Sequence, residues 1–397
     1  MKTIGIYGGT FNPPHRGHLS AVKQAAELLG LDKVLLIPDY IAPHKTLPEH
    51  SPTPEQRMQM LRLASEGEAV LEVSDMELSR QGTSYSYETI LSLRRENPED
   101  KLVLLMGTDM FLSLDSWKNV PVILENADIG VMGRGAPGEA ETIARQKEKL
   151  EACGARVLQI DNEVLPLSST DIRRMVVFQC ADSLLHPAVA EYIRANKLYG
   201  AGDSCKNLPM DVLEQKVISL LNPNRVNHVL GCRDAAVALA KRWGADETDA
   251  ARAGLLHDVT KALSPSLQLT LCRDYGMILS DFSQKNPKTL HALTGSLVAE
   301  RIFGENKAVV EAIRHHTTGK GDMNVLEKII YVADYMEPNR DFPGVERLRE
   351  LAFSDLDGAL HLGLTMTLEL LKKQGSEVSP ESREALAWLE TKGKCKC

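Results

Sequence analysis

A chain of 397 residues exceeds what one hydrophobic core usually serves, so two domains are expected. With 43% hydrophobic and 25% charged residues the composition is that of an ordinary globular protein, and a formal net charge of -8 argues against electrostatic docking on nucleic acid or on an anionic membrane. No apolar stretch approaches the roughly 20 residues of a spanning helix, Met1-Lys2-Thr3-Ile4-Gly5 enters a strand-like run without a charged-then-apolar leader, and seven scattered cysteines give no disulfide framework, so a cytoplasmic protein with reduced thiols is expected.

In chain order, residues 1 to about 180 alternate short β-rich runs with helical patterns. Strands are expected at Thr3–Tyr7, Lys33–Pro38, Ala69–Val73, Leu102–Met106, Ile129–Met132 and Arg156–Ile160. Between them, Gly17–Leu29, Pro54–Ser65, Ser86–Arg95 and Glu139–Ala152 place apolar residues at three- and four-residue spacing, as amphipathic helices do. This alternation predicts an α/β, doubly wound, Rossmann-like parallel sheet. After the first strand stands Gly8-Gly9-Thr10-Phe11-Asn12-Pro13-Pro14-His15-Arg16-Gly17-His18. Glycines there let backbone approach a phosphate, and two imidazoles three residues apart share one side of a helix's first turn. Such an arrangement suits a nucleoside triphosphate at the carboxyl ends of the strands.

The domain boundaries are expected at 1–200 and 210–375, with a glycine- and proline-containing linker at 201–209 and a polar C-terminal tail at 376–397 that holds one short helical stretch around Glu381–Leu389. Cys395 and Cys397 in that tail are too few for a metal site. From Met210 onward strand signals vanish and helices are expected at Asp211–Leu221, Asn227–Trp243, Asp246–His257, Leu290–Phe303, Lys307–His315 and Asn324–Tyr335, an all-α bundle. It carries His228, His257-Asp258, His291, His315-His316 and Asp334, each in a helical stretch. Neighbours on a helix point about 100° apart, so His257 and Asp258 reach one metal only along the seam between them, with other helices completing the shell.

The first run, with its His15-Arg16-Gly17-His18 box, resembles the nucleotidyltransferase superfamily, and Ser168-Ser169-Thr170-Asp171-Ile172-Arg173 resembles that superfamily's second signature. Over residues 1 to 200 the segments Ile41-Ala42-Pro43-His44-Lys45, Thr83-Ser84-Tyr85-Ser86-Tyr87-Glu88-Thr89, Met106-Gly107-Thr108-Asp109 and Trp117 are similar to nicotinate-nucleotide adenylyltransferases. The resemblance implies ATP with magnesium and nicotinate mononucleotide as substrates, and His15, His18 and Arg173 as the residues that stabilise charge during adenylyl transfer. It implies nucleotide contacts from Gly8, Gly9, Thr10, Lys45, Gly107, Asp109, Ser168, Ser169 and Thr170, with Tyr85 and Trp117 framing the pyridine ring. Nicotinamide mononucleotide, phosphopantetheine or a sugar alcohol phosphate remain alternative acceptors.

The downstream order His, His-Asp, His, His-His, Asp resembles the HD phosphohydrolases. Asn227-His228-Val229-Leu230-Gly231, Gly254-Leu255-Leu256-His257-Asp258-Val259-Thr260-Lys261 and Tyr331-Val332-Ala333-Asp334-Tyr335-Met336-Glu337-Pro338-Asn339-Arg340 are similar to the branch that cleaves diadenosine tetraphosphate symmetrically. By that resemblance His228, His257, Asp258 and Asp334 form a primary metal shell. His291, His315 and His316 hold a second metal or contact phosphate, and Lys261 and Arg340 offset substrate charge. One or two ions, iron favoured among iron, manganese, nickel and zinc, are implied. A different phosphohydrolase, acting on cyclic dinucleotides or deoxynucleotides, and a non-catalytic oligomerisation module are the alternatives for this half. Oligomeric state stays open, a homo-oligomer included.

Overall fold

The computed structural model describes residues 1–43 and 46–394 and divides into two compact units, Met1–Asp203 and Ser204–Cys397. In the first unit the described residues form six parallel strands, β1 (Thr3–Gly9), β2 (Lys33–Pro38), β3 (Leu71–Val73), β4 (Lys101–Gly107), β5 (Asp128–Met132) and β6 (Val157–Ile160), in the order β3-β2-β1-β4-β5-β6. Helices α1 (Arg16–Leu29), α2 (Pro54–Ser65), α3 (Met76–Arg80), α4 (Ser86–Glu96), α5 (Thr108–Leu112), α6 (Val120–Asn126), α7 (Glu139–Ala152), α8 (Ser169–Val177) and α9 (Pro187–Ala195) accompany them.

Strand side chains alternate between two apolar layers, which is why these strands read as nearly unbroken hydrophobic runs. Ile4, Ile6, Leu102, Leu104, Ile129 and Val131 pack with Ile90, Leu93, Phe111, Ile123 and Ile143. Val34, Leu36, Val103 and Leu105 pack with Val22, Ala25, Ala26 and Leu61 on the other side. The strand order reverses between β1 and β4, so the crevice beyond their carboxyl ends is where a doubly wound sheet takes its ligand.

Two strands differ from the sequence expectation by two residues, while β4, β5 and β6 differ by one residue at one or both ends and β2 matches it. β1 runs two residues further, because Gly8 and Gly9 still pair with Ile37 and Pro38. β3 loses Ala69 and Val70 to the turn that the Leu71 N–H closes on the Glu68 carbonyl at 2.9 Å.

The second unit is helical among its described residues. It contains α10 (Met210–Leu220), α11 (Pro223–Trp243), α12 (Glu247–Leu256), α13 (Pro265–Asp274), α14 (Asp281–Lys285), α15 (Leu290–Val298), α16 (Lys307–His315), α17 (Val325–Met336), α18 (Val345–Ser354), α19 (Leu356–Lys373) and α20 (Pro380–Lys394). α15 continues into a five-residue π segment, Ala299–Phe303. A Cβ on Gly254 would lie 2.7 Å from the Arg233 Cα, so glycine there lets α12 rest against α11. The helical stretch expected around Glu381–Leu389 in the C-terminal tail is part of the longer helix α20, and it is docked. Ala385 and Leu389, four apart, are buried, and the Ser382 hydroxyl donates to the Thr318 carbonyl at 2.7 Å.

Candidate functional sites

In the first unit, β1 delivers Gly8 and Gly9 to the switch point and β4 delivers Gly107 beside them. Neither Gly8 nor Gly9 has a positive φ; a Cβ on Gly8 would meet only the Ile37 carbonyl at 3.9 Å, so Gly8 leaves open space above the backbone, whereas a Cβ on Gly9 would touch the Phe11 ring at 3.4 Å. The Thr10 hydroxyl donates to Asp39 Oδ2 at 2.8 Å, and its carbonyl accepts from Arg57 Nη1 at 2.7 Å. The fully buried Arg57 also pairs with Asp39 Oδ1 at 2.9 Å and donates to the Asp39 carbonyl at 2.7 Å. This pair fixes the turn between β1 and α1.

His15 precedes α1 and His18 lies in its first turn. Their rings stack with centroids 3.7 Å apart, and the His15 N–H donates to His18 Nδ1 at 3.3 Å, which leaves the proton of a neutral His18 on Nε2. A Cβ on Gly17 would stand 3.0 Å from His15 Nδ1 and 3.2 Å from the Leu165 carbonyl, so glycine makes room for the folded-back ring. His15 Nδ1 is buried without a hydrogen-bond partner. Burial, then His18 and Arg134, hold this imidazole well below the ordinary histidine range.

The two sequence signatures, far apart in the chain, meet here. Arg173 Nη1 donates to the Asn12 carbonyl at 2.8 Å and Nη2 to Thr170 Oγ1 at 2.9 Å, while the Ser169 hydroxyl donates to the Pro13 carbonyl at 3.0 Å. Ser168 is the N-cap of α8, its Oγ accepting from the Asp171 N–H at 3.1 Å. Asp109, in the first turn of α5, pairs with Arg134 Nη1 at 2.6 Å, and the Arg134 guanidinium lies 3.5 Å from where a Gly107 Cβ would be. Tyr85 and Tyr87 have ring centroids 6.1 Å apart, and Lys118 Nζ stands 4.1 Å over the Tyr85 ring, next in the chain to the half-buried Trp117. Lys45, with its neighbour His44, lies outside the described residues.

The sequence reading missed Arg134, Asp39, Arg57 and Tyr199, whose hydroxyl donates to Asn12 Oδ1 at 2.7 Å. Arg134 follows the buried strand β5, and the Glu139 carboxylate anchors its turn by accepting from the N–H groups of Arg134 at 2.9 Å and Gly135 at 2.7 Å. A charged residue just past a buried strand was the available signal, at Asp39 as at Arg134.

In the second unit five helical elements converge on one cluster. His228 comes from α11, His257 and Asp258 from the end of α12, His291 from α15, His316 from the end of α16 and Asp334 from α17. His228 Nε2 lies 3.2 Å from His257 Nε2 and 3.1 Å from Asp334 Oδ1. Asp258 stands between two groups, with Oδ2 at 3.6 Å from His228 Nε2 and 3.5 Å from His257 Nε2, and Oδ1 at 3.5 Å from His291 Nε2 and 3.8 Å from His316 Nε2.

Each histidine is held from behind. The Nδ1 atoms of His257, His316 and His291 lie 2.8, 2.7 and 2.9 Å from the carbonyls of Gly254, Ile313 and Lys288, and Nδ1 of His228 lies 3.1 Å from Glu337 Oε1. A proton on Nδ1 leaves the lone pair of a neutral imidazole on Nε2, facing the cluster, the tautomer that binds a metal. Glu337 is itself fixed by the Asn339 N–H at 2.7 Å, and a Cβ on Gly231 would come 2.5 Å from its Oε2.

Burial, with the charges of His316 and Lys261, lowers His291 to about 3. Burial and His257 lower His316 to about 4, so both are neutral near neutral pH. Burial alone would raise Asp258, but the charge and hydrogen bond of His257, with Lys261, hold it well below the usual carboxylate range. Neutral His291 and His316, the ionised carboxylates of Asp258 and Asp334, and an Asp258 Oδ1 with no hydrogen-bond donor fit a divalent cation, while against its burial Cys232 and Asp258 hold His257 well above the ordinary histidine range, with a proton that a bound cation would displace.

His315 is turned elsewhere. One residue from His316 and so on another side of the helix, it places Nε2 3.5 Å from Glu311 Oε2, near Glu327 and Lys320. Lys261 Nζ contacts His291 Nε2 at 3.0 Å, and Arg340 pairs with Asp334 Oδ1 at 2.6 Å. Arg225 donates through Nε to Asp258 Oδ2 at 2.7 Å. It was missed although it lies three residues before His228 on the same face of α11.

Residues 6–175 match the cytidylyltransferase-like family and residues 225–339 match the HD domain. Over 197 residues the chain is 35% identical to a probable nicotinate-nucleotide adenylyltransferase of Borrelia garinii subsp. bavariensis, covering 49% of this chain and 94% of that one. Over 172 residues it is 38% identical to the symmetrical bis(5'-nucleosyl)-tetraphosphatase of Halalkalibacterium halodurans, covering 42% and 91%. A solved structure of a predicted HD superfamily hydrolase involved in NAD metabolism, from Clostridium acetobutylicum, is 35% identical over 47% of this chain and 98% of its own, with a TM-score of 0.46. The chain is thus an enzyme that joins a nucleotidyltransferase to an HD hydrolase. Its first half belongs to the nicotinate-nucleotide adenylyltransferase family and its second to the symmetrical bis(5'-nucleosyl)-tetraphosphatase family. The HD match implies a divalent metal at the histidine–aspartate cluster.

Proposed function

We propose that the protein is bifunctional, transferring an adenylyl group from ATP to nicotinate mononucleotide in its first unit and hydrolysing diadenosine tetraphosphate to two ADP in its second. The convergence of His15, His18 and Arg173 on the switch point carries the first assignment. The acceptor's phosphate oxygen attacks the α-phosphorus of magnesium-bound ATP, one P–O bond forms, and the bond to the β-phosphate breaks to release pyrophosphate.

His18 donates from Nε2 to an α-phosphate oxygen as charge builds there, and His15 packs behind it. Arg173, with Ser168, Ser169 and Thr170 at the start of α8, neutralises the β- and γ-phosphates. Gly8 gives the triphosphate its open approach with Gly9 and Thr10 beside it in the same turn, Gly107 and Asp109 face the adenosine, and Tyr85 and Trp117 frame the pyridine ring. Lys45 serves the mononucleotide or the triphosphate.

The Asp258 carboxylate between four Nε2 atoms carries the second assignment. His228, His257, Asp258 and Asp334 would hold one cation, and His291 and His316 with Asp258 would hold another. A divalent metal supplies Lewis acidity toward a phosphoryl oxygen and water. Lys261 and Arg340 receive the negative polyphosphate. The family resemblance favours iron. Free Cys153, Cys180, Cys205, Cys232 and Cys272 fit a cytoplasmic setting.

Product chromatography tests both halves. Full-length protein should convert ATP and nicotinate mononucleotide to deamido-NAD, and with iron or manganese should yield ADP alone from diadenosine tetraphosphate. AMP with ATP as products, or no turnover, would overturn the second assignment. His18→Ala should lower adenylyl transfer by about 100-fold or more, as loss of one preorganised donor does.

A further inference from the structure

Arg225 sits in the first turn of α11, one helical turn before His228. Its Nε donates to Asp258 Oδ2 at 2.7 Å and its Nη2 reaches the same oxygen, so one edge of the guanidinium is committed to the carboxylate at the centre of the cluster. Its Nη1 has no partner among the described residues, and the side chain is 31% exposed while Asp258 is 1% exposed. The group therefore spans from the buried cluster to solvent.

Two other cations share that side. Arg340 holds Asp334 in the same one-edged manner and is 33% exposed. Lys261 stands at His291, where after burial the charges of Asp258, Arg225, Asp334 and Arg340 all act on it. A planar fork with an open edge matches two oxygens of a phosphate, whereas a guanidinium that served only to pair with Asp258 would be expected to be enclosed.

We propose that Arg225 binds the phosphoanhydride chain of the substrate at the metal cluster, its Nη1 edge on phosphate oxygens and its Nε edge keeping Asp258 aligned. The proposal rests on the phosphohydrolase reading of this half. One side chain then links the cation site to the phosphate site. With Oδ2 fixed by Arg225, Asp258 keeps Oδ1 turned to His291 and His316.

The test uses full-length protein loaded with manganese, as wild type, Arg225→Met and Arg225→Lys. Metal content is measured, kcat and KM are determined for diadenosine tetraphosphate, and pyrophosphate and ADP are titrated calorimetrically with Arg173→Ala as the common background, so that binding at the first unit does not mask the cluster. Arg225→Met should keep its metal and bind pyrophosphate and ADP about ten- to a hundred-fold more weakly, with KM raised more than kcat is lowered. Arg225→Lys, which keeps charge but not the fork, should fall between.

Unchanged pyrophosphate affinity in Arg225→Met overturns the proposal, as does failure of the Arg173→Ala parent to bind pyrophosphate. Loss of metal from Arg225→Met, with unchanged pyrophosphate affinity in Arg225→Lys, also overturns it, because Arg225 would then only orient Asp258. Weakened pyrophosphate binding without any turnover of diadenosine tetraphosphate upholds Arg225 and overturns the choice of substrate instead.

Discussion

Asp39 and Arg57 form a buried pair behind the glycine-containing turn. Arg57 is fully buried and holds Thr10, Asp39 and the turn above β1 together. Asp39→Ala removes the only carboxylate the guanidinium contacts among the described residues, and an uncompensated buried charge costs about 3 kcal/mol or more. Denaturant unfolding should show that loss, and a change under about 1 kcal/mol would mean that the pair is solvated. His15 gives a pH signature. Its folded pKa is depressed, so below the unfolded value of about 6.5 the unfolded chain binds the proton the native state refuses, and stability falls with pH. Above that value the contribution is fully present. Replacing His15 by Asn should flatten melting temperature against pH between about 5 and 6.5 relative to wild type. His15 and His18 were legible because their chemistry lies in one contiguous run. Asp39 and Arg57 were not, since their partnership exists only after β2 and α2 pack.

At the scale of elements, legibility followed length and periodicity only in part, since α13, α18 and α19, of 10, 10 and 18 residues, are not among the expected helices. α1, α2, α4 and α7 show amphipathic spacing over three turns or more, and the strands show as apolar runs. α3, α5, α6 and α14 span five to seven residues, fewer than two turns, so no period can be read from them. The segment after α17 was legible as a motif but not as a device. It carries Glu337, Asn339 and Arg340, and α18 clamps it. Arg349 donates to the carbonyls of Met336 at 2.9 Å, Glu337 at 3.0 Å and Arg340 at 2.9 Å. Arg349→Ala should loosen Glu337 behind His228 and lower metal affinity by about 10- to 100-fold, as losing a supporting contact does at metal sites. Chelator competition measures this, and an unchanged affinity would show that Asn339 and Gly231 suffice to hold Glu337.

For the whole molecule, the organising fact is that each site draws its residues from one unit. His15, His18, Arg173 and Gly107 fall within Met1–Asp203, and the histidine–aspartate cluster falls within Ser204–Cys397. The first unit also has both of its apolar layers on its own sheet. Asp258→Ala should therefore strip the metal and abolish hydrolysis while adenylyl transfer stays within about twofold of wild type. A doubling in rate corresponds to only about 0.4 kcal/mol of barrier, well below what loss of a positioned group costs. His18→Ala should give the converse pattern. Concerted loss of both activities in Asp258→Ala, with a melting temperature lowered for both units, would mean that the halves fold as one cooperative body. Loss of both with melting unchanged would instead mean that the first reaction depends on the metal cluster.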